Sequence, residues 1–326
     1  MTGGTQMAKV LITGGAGRLG RNCAQEFAAQ GHEIGLLDRR SPQQEVAALS
    51  APDHIWTGEL WDGHTVEEAV AGFGPEVIVH LGANPGPSDH PKRRQTHGQY
   101  AAVPRDDTFK SNVLGTYYVL DAAVRHGVKR VVAASSYFVL GLGNRISDDP
   151  WPLEYLPIDE DHPMRPEDTY SLSKLLNEDM YRAYSSGYGL QTVALRLLGV
   201  YYRESEPPER RFRERPDPPE DNRSLGADVW CYVDGRDAAH GFRLAAEADG
   251  LAPFEAFYLL TDRKIRESPR LWLERYYPHL MSKVRELGEW DTLISDAKAR
   301  RLLGYRPQHS WLVEFPDRLP ASAAGA

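Results

Sequence analysis

The chain has 326 residues, 41% of them hydrophobic and 26% charged, with a formal net charge of −8 at pH 7. That length allows one large α/β unit or a core with a smaller appendage, and the acidic balance argues against general nucleic-acid binding, which needs a basic surface. No apolar run reaches the length of a membrane span, no signal-peptide pattern opens the chain, and Cys23 and Cys231 alone make neither a disulfide framework nor a thiolate metal cluster, so a cytoplasmic location is the expectation.

In chain order, short apolar runs alternate with helical stretches. Lys9–Thr13 reads as a buried strand and is followed by a helix over about Gly17–Gln30. Ile34–Asp38, Val77–His80 and Arg130–Ala134 read as further strands, with helices at about Thr65–Ala71 and Thr108–His126. These runs lack clean polar alternation, as expected of parallel strands covered on both faces. A helix starts near Asp168 and a further strand, Thr192–Leu197, follows it. The succession predicts an α/β fold with a doubly wound parallel sheet, the Rossmann arrangement.

Beyond Leu197 the alternation weakens. Arg203–Arg223 holds six arginines, seven carboxylates and five prolines and reads as an exposed loop. Its near-zero net charge suits a solvated loop, and the competing reading is a lid whose arginines capture an anion. Helical patterns return at Asp237–Ala248 and Ser268–Tyr276, with a strand at Phe257–Leu260. Ser295–Gly304 reads as a short helix stopped by its glycine, with Pro307 beyond.

Thr13-Gly-Gly-Ala-Gly-Arg-Leu-Gly20 sits between the first strand and the first helix. There Gly14 allows a tight turn, Gly17 lets the backbone approach a pyrophosphate, and Gly20 permits close helix packing. The helix N-terminus adds amide donors and a dipole that suits phosphates. Asp38, closing the second strand, stands where a carboxylate accepts bonds from ribose hydroxyls. The pair predicts a dinucleotide site, with NAD favoured over NADP because a 2′-phosphate would be repelled. Arg39 and Arg40 stand as a solvated turn or as groups able to take that phosphate. Glu59 and Leu60, between the second strand and Val77–His80, either line the adenine pocket or form an ordinary loop. Residues 7–197 are thus expected to form the NAD-binding core. Residues 198–326 are expected to be mainly a small, partly irregular substrate region, with a strand and helices returning to the core.

Tyr170-Ser-Leu-Ser-Lys174 lies at the start of a helix, which places Tyr170 and Lys174 on one face. An unperturbed phenol, with a pKa of about 10, is a poor base at neutral pH, and a nearby ammonium favours its ionised form. Ser136, just past a strand, can bond the same substrate oxygen. The spacing alone is common in surface helices. It gains weight from its order after the glycine loop, Asp38 and Ser136.

Together these residues resemble the extended short-chain dehydrogenase/reductase family, in its NAD-dependent epimerase/dehydratase branch. Thr13–Gly20 with Arg18 and Leu19, Asp38, His80-Leu81-Gly82-Ala83, Asn112 with Gly115-Thr116, Ser135-Ser136, Tyr170 with Lys174, Leu195-Arg196 and Asp296–Gly304 carry the likeness. The resemblance implies that Ser136 positions the reacting oxygen, Tyr170 transfers its proton and Lys174 holds the nicotinamide ribose. It also implies that Asn112 supports the central helix, and that a homodimer forms through the helices near Thr108–His126 and Tyr170. Dehydration is disfavoured, because Tyr137 and Phe138 stand where dehydratases carry an Asp-Glu pair. Trp230 aligns with the arginine that grips the diphosphate in nucleotide-sugar epimerases, and Arg236 or an arginine of the mixed-charge loop is left to replace it. The shortened substrate region is similar to that of uronate dehydrogenases, although those carry Asn-His where this chain has Tyr137-Phe138. The expected activity is hydride transfer at a carbinol or carbonyl of a sugar or sugar-like substrate, with Ser135, Ser136, Tyr137, Arg196 and Trp230 as substrate-side residues. A nucleotide-sugar epimerase and a non-catalytic NAD-binding sensor are the alternatives. No metal is expected, since His90 and His97 read as polar loop residues.

Overall fold

From Val10 onward the strand β1 (Lys9–Thr13) is wholly buried, as its unbroken apolar side chains require of a strand covered on both faces. The computed structural model describes residues 7–96, 102–213, 225 and 229–315. After β1 come α1 (Arg18–Ala29), β2 (Glu33–Asp38), β3 (Ser50–Thr57), α2 (Gly63–Phe73) and β4 (Val77–His80). The first half then continues through α3 (Gly115–Arg125), β5 (Arg130–Ser136), α4 (Thr169–Tyr188) and β6 (Gln191–Leu197). Later elements are β7 (Val200–Tyr201), β8 (Cys231–Asp234), α5 (Gly235–Glu247), β9 (Phe254–Leu259), β10 (Asp262–Arg263), α6 (Pro269–Tyr276) and α7 (Ala297–Leu302). No helix among the described residues is long and apolar enough to cross a membrane.

Seven strands form one sheet in the order β3-β2-β1-β4-β5-β6-β9, parallel at every pairing. Val10, Ile12, Cys23, Phe27, Ala238 and Phe242 belong to one core cluster, which puts α1 and α5 on one face. Leu11, Val66, Val70, Phe73, Val119, Leu120 and Tyr181 fill the other, beneath α2, α3 and α4. The strand order reverses between β1 and β4, and a crevice opens at the carboxyl ends of strands at such a point. A small second sheet, β10-β8-β7, stands apart from the first.

Two departures from the sequence reading bear on the site. The helix expected over Thr108–His126 is broken into a single turn at Asp107–Phe109, a π-helical turn at Lys110–Leu114 and then α3. The wide turn coincides with Asn112, whose side chain points inward and is almost fully buried. The strand expected at Phe257–Leu260 begins at Phe254 and pairs along its whole length with β6, so the chain returns to the main sheet after position 197. Of the Arg203–Arg223 loop, residues 214–223 lie outside the described residues, as does His97.

Candidate active site

The loop between β1 and α1 makes the floor of a cavity of about 280 Å³. Gly14 has φ +73°, and a Cβ there would stand 2.7 Å from the Gly82 backbone nitrogen, so glycine is what lets the ends of β1 and β4 touch. At Gly20 a Cβ would come within 2.2 Å of the Gly14 carbonyl oxygen, which is why α1 can start so close beneath the turn. No side chain caps α1, and its first amides are left without intrahelical acceptors. Asp38 closes the cavity on the β2 side. Its Oδ2 accepts from the Ala16 amide at 3.1 Å and its Oδ1 from the Arg40 amide at 3.0 Å, leaving lone pairs on both oxygens. Gly17, Glu59, Leu60, Leu81, Gly82 and Ala83 complete the wall. Free helix amides for phosphates, a carboxylate for a diol and apolar flanks for rings suit a dinucleotide. Arg39 and Arg40 also line the cavity.

Six residues of the expected cofactor set, Arg18, Leu19, Gly20, Asn112, Tyr170 and Lys174, stand outside that wall. Arg18 lays its guanidinium over the Tyr202 ring at 4.5 Å, and Leu19 packs against the core; only their amides are left to a ligand. Asn112 has its whole amide engaged. Its Oδ1 accepts from the Asn84 amide at 2.7 Å, and its Nδ2 donates to the Asn84 carbonyl at 3.1 Å and to Ser173 Oγ at 2.9 Å. Ser173 in turn donates to the Tyr170 carbonyl at 2.7 Å. Asn112 therefore ties the loop after β4 to the first turn of α4.

That first turn carries Tyr170, and Asp168 fixes it by accepting from the amides of Tyr170 and Ser171, each at 3.0 Å. Ser136, at the carboxyl end of β5, lies close enough to the Tyr170 phenol to favour its ionised form. Lys174, one turn along α4, donates to the Ala134 carbonyl at 2.8 Å and stands 5.8 Å from the centre of the Tyr170 ring. Burial pushes Tyr170 up to about 12; the nearby Ser136 hydroxyl pulls the other way, and Asp168 adds to the rise. Burial likewise brings Lys174 down to about 8. The sequence reading expected the ammonium to lower the phenol. Desolvation dominates instead, because the ammonium is turned toward the strand backbone.

Four of the substrate-side expectations are corrected. Arg196 is 1% exposed and forked onto Glu178, with Nε 3.0 Å from Oε1 and Nη2 2.9 Å from Oε2. Burial works against that charge, yet Glu178 and Tyr258 hold its pKa above the ordinary guanidinium value. Ser135 donates to the same carboxylate at 2.6 Å. Arg196 thus pairs β6 with α4, and Ser135 joins β5 to the same carboxylate. Tyr137 and Trp230 are buried members of the main apolar cluster. Arg236 does not replace the missing diphosphate arginine either. It is forked onto Asp234 at 2.8 and 2.9 Å and reaches Glu314 at 3.0 Å.

The sequence matches the NAD dependent epimerase/dehydratase family over residues 10–214. The chain belongs to that family. A uronate dehydrogenase of Pseudomonas syringae pv. tomato is 29% identical over 208 residues, 64% of this chain and 64% of its own. The chain thus spans just under two thirds of that relative's length. An NAD-dependent glucose-6-phosphate dehydrogenase of Haloferax volcanii is 25% identical over 303 residues, 92% of each chain. Among solved structures, the UDP-glucose 4-epimerase from Brucella ovis in complex with NAD superimposes with a TM-score of 0.64 at 22% identity. It covers 93% of this chain and 94% of the other, which shows the shared fold.

Within this family fold the sequence reading missed several groups. Ser111 also lines the cavity, as do Asn84 and Pro85 at the start of the long connection after β4, which as a whole had been expected along the cleft. Beneath it His80 is held between two threonines, with Nδ1 2.7 Å from Thr13 Oγ1 and Nε2 3.0 Å from Thr116 Oγ1. Thr116 donates onward to the Asn112 carbonyl at 2.6 Å, so Nε2 carries the proton and Nδ1 accepts. Burial, with Lys174 adding, pushes this imidazole down to about 3 and keeps it neutral. No local pattern announces this string, whose members lie 67 and 36 residues apart. Asp168 did have a signal: an aspartate just before a helical run is a common N-cap.

Proposed function

We propose that the chain is an NAD-dependent oxidoreductase moving a hydride at a carbinol or carbonyl of a small sugar-like substrate, with Tyr170 as the acid/base. The observation that carries this reading is the gathering of Ser136, Tyr170 and Lys174 at the carboxyl edge of the sheet, with the Lys174 ammonium 5.8 Å from the Tyr170 ring on the same helix face. Asp38 accepts from the adenosine ribose hydroxyls and disfavours a 2′-phosphate, so NAD is preferred to NADP. The uncapped start of α1, with the amides of Arg18 and Leu19, faces the pyrophosphate. When bound, NAD accepts or returns the hydride and brings a positive charge that favours the phenolate. Ser136 holds the substrate oxygen, Tyr170 takes or gives its proton, and Lys174 bonds the nicotinamide ribose.

A substrate without a nucleotide fits better, because Arg236 is engaged by Asp234 and Glu314, and Arg203 leans on Glu314 at 3.4 Å. Two dehydrogenases of sugar compounds among the relatives agree with that choice. One observation favours a nucleotide-sugar epimerase. Arg211 Nη1 stands 3.1 Å from where a Cβ of Gly199 would be, just past β6, and although Nε and Nη2 are paired with Glu206, that Nη1 edge can meet a phosphate. Incubation with NAD and a panel of free sugars, sugar acids, sugar phosphates and nucleotide sugars separates the two. Stoichiometric NADH supports the dehydrogenase, and isomerisation without NADH supports the epimerase. Tyr170→Phe should lower turnover by about 10²–10⁴; unchanged turnover would overturn the role of Tyr170.

We also infer a homodimer built on α3 and α4, since Leu114, Tyr117 and Leu172 stand exposed there. A reducing, cytoplasmic setting suits Cys23 and Cys231, both buried in the core.

A further inference from the structure

Immediately after Ser136 the chain turns through Tyr137–Leu140, capped by Ser136 Oγ accepting from the Phe138 amide at 3.2 Å. The Phe138 ring lies 4.5 Å from the Tyr137 ring and meets the Tyr170 ring edge-on, at 6.1 Å and 89°. Its far side rests on bare backbone. A Cβ at Gly143 would fall 2.0 Å from Phe138 Cε1 and Cζ, so any side chain there would displace the ring. The surrounding loop is held as well, by Arg165 donating from its amide to the Val139 carbonyl at 3.1 Å. Phe138 is half-buried, and it brings no hydrogen-bonding group to the neighbourhood of Tyr170.

We propose that Phe138 is a specificity-determining residue: wedged between Tyr137, Gly143 and Tyr170, it gives the pocket an apolar wall beside the phenol. That wall selects alcohols whose reacting carbon is flanked there by C–H rather than by a hydroxyl or a charged group. The inference rests on Tyr170 being the acid/base. A hydroxyl pressed against the ring loses its water and gains no partner, and an apolar pocket discriminates against such a group by up to about a hundredfold. The ring also occupies space that water would otherwise take beside the half-buried Tyr170, in line with its raised pKa.

The test uses the full chain with NAD and pairs of sugars that differ only in a hydroxyl next to the reacting carbon. Wild type and Phe138→Leu should prefer the deoxy member by about tenfold or more in kcat/KM, and Phe138→Asn should erase or reverse that preference. A wild type indifferent to the hydroxyl, or an Asn variant that keeps the preference, overturns the proposal. Tyr170 ionisation, read as the ultraviolet difference spectrum against Tyr170→Phe without substrate, gives a second readout independent of turnover. Its midpoint should fall by about one pH unit in Phe138→Asn and much less in Phe138→Leu. If no alcohol is oxidised, the functional reading fails, and the spectrum alone decides: a falling midpoint supports the wall, and an unmoved one overturns it. Thermal denaturation of both variants checks that they fold.

Discussion

Lys174 is a charge held where burial weakens it, and the sign of that cost can be measured. Its folded pKa is about 8 against an ordinary 10.5, so the folded chain releases this proton before the unfolded one does. Stability should therefore rise as pH climbs from about 8 toward 10.5, by on the order of 3 kcal/mol. Lys174→Met should flatten that rise in denaturant titrations, stabilise the fold near neutral pH and abolish turnover. A variant that melts lower than wild type at pH 7 would contradict the reading. At this scale the sequence was most informative where a residue's partners are local. Gly14, Gly20 and Asp38 stand in short motifs, and Tyr170 and Lys174 share one helix face. Ser135 and Arg196 misled because the carboxylate that claims both, Glu178, lies 43 and 18 residues away. Nothing in the linear pattern says that the charge is already satisfied.

Among the elements, the start of α4 depends on Asn112 and Asp168 together. Asn112→Ala removes three hydrogen bonds that join Asn84 to Ser173, and it leaves buried backbone groups of the loop unpaired. The expected loss is about 1–3 kcal/mol in chemical denaturation, with a larger fall in kcat than in KM because the tyrosine is displaced rather than the cofactor. The pair α1 and α5 is joined by Glu26, which His240 at 3.1 Å and Arg243 at 2.8 Å both address. The His240 bond, opposed by burial and aided by Arg243, holds this carboxyl at about 2 instead of 4.5. A carboxylate depressed in this way stabilises above its ordinary pKa and loses that contribution as pH falls toward the folded value. Thermal melts should show an acid limb between about pH 4.5 and 2 that Glu26→Gln reduces. Helix positions were legible from apolar periodicity, but the π-helical turn was not, because one extra residue per turn leaves the pattern nearly intact. The edge strand β3 is mostly half or fully exposed and contains Pro52, so no buried apolar run marks it.

For the molecule as a whole, the proposed dimer is tested by sedimentation. Tyr117→Glu with Leu172→Glu should convert a dimer of wild type into monomers that keep their fold; a monomeric wild type would overturn the inference. The return of a strand to the core after position 197 was expected, but its place beside β6 was not legible. The parallel sheet follows from the βαβ succession, but strand order across a long excursion is set by tertiary packing and not by local pattern. That excursion has a consequence for how the protein is made. β6 emerges from the ribosome with one hydrogen-bonding edge bare, and the segment that covers it, β9, is more than fifty residues further on. Until Leu259 has cleared the exit tunnel, the nascent sheet offers a buried-type strand as an open template for another chain. A version cut short before Phe254 should therefore aggregate during synthesis, even though every residue of the glycine loop and of the Ser136, Tyr170 and Lys174 set is already present in it.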